Sequence, residues 1–208
     1  FSWEAADILL YYANSIKKAE RKKEILKNKN NKDPVTLADL EVNELIINRI
    51  NQKYQDTNWE ILSEENFKKE SNYFNNVDWL WVLDPLDGTK DFIQGTKNYA
   101  MHLALNYKRK PCIGIVLIPE KDELWISYAE KLWCENRDGN IRKQNSSKTN
   151  ILKEMTIVTS RNHRNEKLKD LIEKINFKKT IVMGSIGCKT ASIIRGDSDI
   201  YISLSLPG

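Results

Sequence analysis

Hydrophobic residues recur at steps of three and four near the start of the chain, a spacing that predicts an amphipathic helix. This stripe consists of Ala5, Ile8, Leu9, Tyr12, Ile16 and Ala19. An Asn- and Lys-rich stretch from Asn28 to Lys32 ends the pattern and predicts a loop. Asp33-Pro34 then turns the chain into a second predicted helix, with an inward side made of Leu37, Leu40, Leu45, Ile46 and Ile50.

Short apolar runs of strand length follow the second helix. Trp59–Leu62 leads into an acidic segment, and Trp79–Leu83 is bounded abruptly by Asp84-Pro85. Four more runs come without helices between them, so we expect them to form an antiparallel sheet. These four runs are Tyr99–Tyr107, Pro111–Ile118, Glu123–Tyr128 and Lys131–Asn136. Asp138-Gly139 after them predicts a hairpin turn.

The pattern changes after the polar stretch Lys143–Asn150, where strands and helices begin to alternate. The predicted order is strand Thr156–Thr159, helix Asn165–Ile175, strand Thr180–Met183, helix Ile186–Ile194 and strand Ile200–Leu204. We therefore predict a layered α+β and α/β sandwich in two portions. Residues 1–150 form an α+β portion with the antiparallel sheet, and residues 151–208 form an α/β portion that is cut short.

The composition excludes several classes of protein. A chain of 208 residues with 40% hydrophobic and 30% charged residues is typical of a globular fold. Three cysteines without a CxxC spacing argue against a disulfide framework or a structural zinc site, and they indicate a reducing, cytoplasmic location. No apolar run approaches the roughly 18 residues of a membrane span. The net charge of +4 comes without a nucleic-acid motif, so nucleic acid is not an expected partner.

Two carboxylates, Asp84 and Asp87, stand three residues apart directly after an apolar strand. Pro85 between them fixes the turn, so both side chains and the Leu86 carbonyl can point at one place. Oxygen ligands of this kind, without His or Cys, suit Mg²⁺. Because Asp-Pro and Asp-Gly also form ordinary turns, this segment alone leaves a plain turn as the alternative.

A second acidic pair, Glu64-Glu65, follows another apolar strand. If the two strands converge, four acids would repel one another unless a cation lies among them, which favours a metal site. Gly88-Thr89 comes next in the chain after the first pair, at a predicted helix start where free N–H groups could bind a phosphate.

These segments resemble a known family. Leu83–Thr89 (LDPLDGT) together with Ser63-Glu64-Glu65 is similar to the lithium-sensitive, Mg²⁺-dependent phosphatases related to inositol monophosphatase. Gly88–Ile93 (GTKDFI) looks closer to the 3′(2′),5′-bisphosphate nucleotidases of the CysQ type within that family. Val35–Asp39 likewise resembles the family's upstream segment that ends in a functional aspartate.

The resemblance implies a role for each matching position. The residues that would hold Mg²⁺ are Glu64, Asp84, Asp87 and, through its carbonyl, Leu86. Asp39 and Thr89 would form the catalytic pair that helps activate the attacking water. The backbone of Gly88 and Thr89 would receive the scissile phosphate.

Weaker candidates lie downstream. Ser160 and His163 follow the first α/β strand, where such sheets bind ligands, and they resemble the nucleotidases' Ser-Arg-x-His segment. Ser185 is an ordinary helix N-cap by pattern, and the resemblance implies that it and Lys189 contact the sugar or second phosphate. His102 lies in a strand pattern and is interpreted as strand packing.

The implied reaction is removal of the 3′-phosphate from adenosine 3′,5′-bisphosphate, a clearing step linked to sulfate assimilation. The first alternative is an inositol or other sugar monophosphatase with the same metal ligands. The family also carries a Trp-Asp motif for a second metal, which is missing here, so an inactive nucleotide-binding remnant is another alternative. We expect this chain to be most of a larger phosphatase, because it starts on Phe1 and ends just before the position of that motif. Whether the protein forms a homodimer stays open.

Overall fold

The computed structural model describes residues 1–17, 26–28, 34–65, 77–161 and 166–204, with the backbone alone at 26–28 and 34–36. Helix α1 spans Ser2–Lys17 and helix α2 spans Leu37–Lys53. Between them, strands β1 (Leu26–Asn28) and β2 (Pro34–Thr36) pair in antiparallel fashion. Asn28 therefore belongs to a strand and not to the predicted loop. Helix α2 begins at Leu37, because Pro34–Thr36 form β2.

The two helices bury the apolar stripes that the sequence predicted, with small changes. Helix α1 buries Ala5, Leu9 and Ile16 together with Ala6 and Ala13. Helix α2 buries Ala38, Asp39, Val42, Ile46 and Ile50. Leu37, Leu40 and Leu45 are only half-buried, and Ala19 lies outside the described residues. The inward side of α2 therefore includes one carboxylate, Asp39, among its hydrophobic residues.

A seven-stranded sheet forms the centre of the molecule, with its strands in sequential order. The strands are β3 (Trp59–Ser63), β4 (Trp79–Asp87), β5 (Ala100–Tyr107), β6 (Lys110–Ile118), β7 (Glu123–Tyr128), β8 (Lys131–Glu135) and β9 (Ile141–Arg142). Every neighbouring pair is antiparallel except β3 and β4, which are parallel. The expected antiparallel sheet is confirmed for residues 100–135, and the predicted hairpin at Asp138-Gly139 joins β8 to β9.

Strand β4 runs past the point where the sequence predicted its end. Asp84 pairs with His102, and pairing resumes at Asp87 with Ala100 after an irregularity in the register. Pro85 has no N–H to donate, so the irregularity accommodates it between two paired positions. Helix α3 (Thr89–Gln94) then connects β4 to β5.

The C-terminal part alternates as predicted. Its elements are β10 (Thr156–Ser160), helix α4 (Glu166–Ile175), β11 (Lys179–Met183), helix α5 (Ile186–Arg195) and β12 (Ile200–Tyr201). The three strands form a parallel sheet in the order β11-β10-β12, and β12 is shorter than predicted. The division into portions at residue 150 stays a prediction. In the described chain, no helix is both long and apolar enough to cross a bilayer.

Two hydrophobic cores lie on opposite sides of the large sheet. One core joins α1 and α2 to sheet residues such as Trp81, Leu83 and Leu103. The other joins Trp125 and Cys134 of the large sheet to α5 and the small sheet. The molecule is therefore layered as helices, sheet, helix and sheet, the α+β sandwich that the sequence predicted.

Buried charge also ties the layers together. The Glu123 carboxylate is buried at 2% exposure and accepts hydrogen bonds from Arg142 at 3.1 Å and Arg195 at 2.6 Å. The Trp125 indole N–H donates to the same carboxylate. Because Arg195 belongs to α5, this cluster fixes the C-terminal end of α5 against the large sheet.

Gly187 lets the other end of α5 approach the sheet closely. A Cβ at this position would lie 2.2 Å from His102 Nε2 and 2.8 Å from Val116 Cγ1. We expect Gly187→Ala to lower the free energy of unfolding by about 1–2 kcal/mol, because overpacking outweighs the gain in helix propensity. Urea unfolding measures this change. Gly114→Ala is the matched control, since its Cβ would meet only Ser127 Cβ at 3.8 Å; equal destabilisation by both changes would contradict the prediction.

Candidate active site

The parallel pairing of β3 and β4 brings two acidic strand ends together. Ser63 pairs with Leu83, and the Glu64 N–H donates to the Leu83 carbonyl at 3.2 Å. Glu64 and Asp84, each the next residue along its own strand, therefore emerge side by side. Glu65 follows directly. The structure thus places the two acidic motifs at one edge of the sheet, which meets the condition of convergence that the sequence analysis set for a metal site.

The turn after Asp84 is held by its own polar groups. The Leu86 N–H donates to Asp84 Oδ1 at 3.1 Å, and the Leu86 carbonyl accepts the Thr89 hydroxyl at 3.0 Å. Asp87 Oδ2 accepts the Ser185 hydroxyl at 2.6 Å and the Gly187 N–H at 3.0 Å. Asp87 therefore receives the first turn of helix α5, where a negative charge is stabilised by the free N–H groups.

His102 lies against both carboxylates, so its interpretation as strand packing is wrong. Its Nε2 is 3.2 Å from Asp87 Oδ2, and its Nδ1 is 3.9 Å from Asp84 Oδ2. Alternation along β5 could have revealed this position. Met101, Leu103 and Leu105 fill the core on one face, which directs His102 to the opposite face, beside its cross-strand partner Asp84.

The electrostatics of this edge depend on burial and on neighbouring charges. Burial raises the pKa of Asp84 to about 6, and the charges of Asp87 and Glu64 add to this effect while His102 opposes it. Burial also acts to raise the pKa of Asp87, but the nearby His102 and the hydrogen bonds from Ser185 and Gly187 outweigh it and lower that pKa. The pKa of His102 is raised: burial opposes the charge, and the two carboxylates more than offset burial.

The donor set fits a divalent cation in its chemistry. Two carboxylates and a backbone carbonyl lie within one turn, and a third carboxylate, that of Glu64, directly follows β3. Burial is the main cause of the raised pKa of Asp84, and the charges of Asp87 and Glu64 add a repulsion that a cation would relieve. As the side chains stand, no group of three or more His, Cys, Asp or Glu residues in the described chain is arranged to hold an ion.

The Gly88-Thr89 segment forms a tight turn into helix α3. Gly88 has φ +89°, and a Cβ there would lie 2.9 Å from the Asn98 carbonyl oxygen, so only glycine fits. Helix α3 begins at Thr89, as the sequence predicted. Asp39 is buried at 4% exposure on α2. Its pairing with Thr89 stays a prediction.

The downstream candidates lie at the ends of β10 and β11. Lys189 Nζ donates to Ser160 Oγ at 2.9 Å, and both side chains are buried. Ser185 caps helix α5 by accepting the Cys188 N–H, as its pattern predicted. His163 lies outside the described residues. Arg161 belongs to the Ser-Arg-x-His segment, but the sequence analysis gave it no role of its own. Its Nε pairs with Asp91 at 3.0 Å, and a buried acid seventy residues away leaves no local signal.

The chain belongs to the inositol monophosphatase family, which residues 2–207 match. Family members are metal-dependent phosphatases, typically with Mg²⁺. The chain is 33% identical over 144 residues to the 3′(2′),5′-bisphosphate nucleotidase CysQ of Buchnera aphidicola, covering 68% of this chain and 51% of that protein. It is 27% identical over 176 residues to the Escherichia coli K12 protein of the same name, covering 84% of this chain and 68% of that one.

The structure agrees with this membership. The Thermotoga maritima IMPase superposes with a TM-score of 0.74 at 20% identity, covering 98% of this chain and 73% of that one. This likeness supports the fold. The chain spans about half to two thirds of the length of the two curated relatives.

The raised pKa of Asp84 predicts a pH dependence of stability without metal. The folded chain retains this proton up to about pH 6, whereas the unfolded chain loses it near the ordinary value of 3.8, so stability falls as pH rises between these values. We expect Asp84→Asn to abolish this loss of unfolding free energy. The loss is on the order of 1 kcal/mol, because solvent screens the partly exposed carboxylate. Urea unfolding in EDTA at pH 4 and pH 6 measures it. Asp138→Asn, in the exposed hairpin turn, is the control; equal pH dependence in wild type and Asp84→Asn would refute this expectation.

Proposed function

We propose that the chain is the metal-binding part of a Mg²⁺-dependent phosphatase that removes the 3′-phosphate from adenosine 3′,5′-bisphosphate to give AMP and phosphate. The observation that carries this proposal is the parallel pairing that brings Glu64 beside Asp84, next to the Gly88-Thr89 turn. Membership of a phosphatase family and similarity to nucleotidases of the CysQ name support the chemistry and the choice of substrate.

Four residues would hold the cation. They are Glu64, Asp84, Asp87 and Leu86, the last through its backbone carbonyl. A bound divalent cation supplies Lewis-acid chemistry, lowering the pKa of the attacking water and neutralising charge on the leaving oxygen. Phosphoryl transfer needs positioning and charge neutralisation more than covalent catalysis. Carboxylates that bind a cation and a rigid turn that holds the phosphate would meet these two needs.

The protein's own groups would position the phosphate and take up the proton. The N–H groups of Gly88 and Thr89 would donate to the phosphate oxygens. Thr89 is too weak a base alone, so the proton of the attacking water would pass through its hydroxyl to Asp39. The new P–O bond would form from the water and the bond to the 3′ oxygen would break. That oxygen would take a proton from solvent water, and Asp39 would later return its own proton to solvent, so the protons balance.

An inositol or sugar monophosphatase is the rival function, because the same residues would serve it. An inactive nucleotide-binding remnant is the rival of another class. We also propose a cytoplasmic location, sensitivity to lithium and a role in sulfate assimilation, which follow from the nucleotidase assignment. The described cysteines, Cys112, Cys134 and Cys188, are free thiols, consistent with a reducing compartment.

Phosphate release from adenosine 3′,5′-bisphosphate and from inositol 1-phosphate, each with and without Mg²⁺, tests the proposal. We expect Mg²⁺-dependent release with preference for the bisphosphate. Asp84→Asn and Glu64→Gln should each lower turnover by at least about 100-fold, the scale of losing one electrostatic contact to the transition state, with circular dichroism unchanged. Asp138→Asn should keep full turnover.

Three results would contradict the proposal. A clear preference for inositol phosphate would favour the sugar monophosphatase. Near-normal turnover in Asp84→Asn or in Glu64→Gln would show that the changed residue is not a ligand of the metal. Binding of AMP in calorimetry without turnover of either substrate would favour the remnant.

A further inference from the structure

The Asp87 carboxylate is held through one of its two oxygens. Its Oδ2 accepts the Ser185 hydroxyl at 2.6 Å and the Gly187 N–H at 3.0 Å. His102 Nε2 lies 3.2 Å from the same oxygen, and the Asp87 side chain keeps 15% exposure. Within the part of the chain that the structure describes, nothing donates a hydrogen bond to Oδ1. Asp87 therefore has an inner oxygen, Oδ2, against helix α5, and a second oxygen, Oδ1, that is available to a ligand.

His102 reaches Asp87 from strand β5, where its surroundings leave the ring little freedom to turn. On the sheet it lies between two cross-strand partners, Asp84 on β4 and Val116 on β6. Helix α5 covers the ring, since a Cβ on Gly187 would lie 2.2 Å from Nε2 and 3.1 Å from Cδ2. The imidazole is therefore fixed between the large sheet and α5, with Nε2 toward Asp87.

The Nε2 atom of His102 is buried, and among the described residues it has no well-aligned hydrogen bond. Asp87 Oδ2 is nevertheless within hydrogen-bond distance at 3.2 Å. Because a buried N–H without an acceptor is costly, a small turn of the carboxylate that aligns the two groups is favourable. Nε2 carries a proton in the charged imidazole and in one neutral tautomer, so the contact needs no particular charge state. Nδ1 lies 3.9 Å from Asp84 Oδ2, too far for a hydrogen bond, so His102 acts mainly on Asp87.

The orientation of the Asp87 carboxylate matters because Asp87 is one of the proposed ligands of the cation. Carboxylates that bind a metal are themselves held by outer hydrogen bonds, and loss of such a partner usually lowers metal affinity by about 10–100-fold. Ser185 and Gly187 hold Oδ2 from the side of helix α5. His102 is the contact from the large sheet, which also carries Asp84. It therefore fixes Asp87 relative to the other ligands, which contacts from helix α5 alone cannot do.

We propose that His102 is a positioning residue of the metal centre, which holds the inner oxygen of Asp87 so that the other oxygen faces the cation. This inference rests on the proposed function, in which Asp87 is a ligand. The imidazole contacts neither the cation nor the phosphate in this assignment, because its Nε2 is buried against Asp87 and Gly187. Its effect is therefore expected in the affinity for the cation and not in the chemical step.

Calorimetry of the metal-free chain with Mg²⁺ alone tests this inference without turnover. We expect His102→Leu to weaken Mg²⁺ binding by about 10–100-fold, because the apolar side chain no longer orients Asp87. His102→Gln should stay within about 3-fold of the wild type, since its amide N–H can take the place of Nε2. Val116→Ala is the matched control, because it removes packing beside His102 and α5 but no contact to Asp87. It should lower stability to urea in EDTA and leave Mg²⁺ affinity unchanged.

Turnover of adenosine 3′,5′-bisphosphate at increasing Mg²⁺ concentration gives a second measurement. In His102→Leu, the Mg²⁺ concentration for half-maximal turnover should rise by the same factor as the Kd for Mg²⁺. At saturating Mg²⁺, kcat of this variant should return to within about 3-fold of the wild-type value, because the chemical step does not use the imidazole.

Three results would overturn the inference while the proposed function stands. They are an unchanged Mg²⁺ affinity in His102→Leu, an equal loss in Val116→Ala, and a kcat of His102→Leu that stays low at saturating Mg²⁺. Binding of Mg²⁺ by the wild type without turnover would contradict the proposed function alone, and the calorimetric comparison would still decide the role of His102.

Discussion

The parallel pairing of β3 with β4 is the contact on which the rest of the site depends. The other neighbouring strands of the large sheet run antiparallel, and only a parallel pair of neighbours sends both C-terminal strand ends to the same edge. Glu64 and Asp84 therefore leave the sheet side by side, and the continued pairing of β4 through Asp87 keeps the turn rigid. Without that pairing, the two acidic motifs would be separate surface turns with no common chemistry.

The candidate site has two parts with charges of opposite sign, one at the edge of the large sheet and one near the ends of β10 and β11. At the sheet edge, half-buried Asp84 lies near Asp87 and Glu64; burial raises its pKa and the charges of these two carboxylates add to the effect. Near the ends of β10 and β11, Lys189 is buried without an ion pair in the described chain, and Arg161 balances the charge of Asp91. A negative corner beside a positive corner is compatible with the proposed binding of a cation and a phosphate.

Helix α5 joins these halves. Its first turn donates to Asp87 through Ser185 and Gly187, while its inner side carries Lys189 toward Ser160. At the other end, Arg195 pairs with buried Glu123. The helix therefore positions metal-motif and basic residues relative to one another. The missing side chain at Gly187 allows this, since a methyl group there would meet His102.

Local sequence determined most of the elements and the acidic motifs of this protein, because hydrophobic periodicity and turn residues act over a few positions. It misplaced Asn28 and the end of β4, where pairing with a distant strand overrode the local signal. Only the tertiary structure decided what His102, Asp91 and Arg161 do. Their partners lie on other elements, and the burial that gives their charges meaning exists only after the sheet and α5 have packed together.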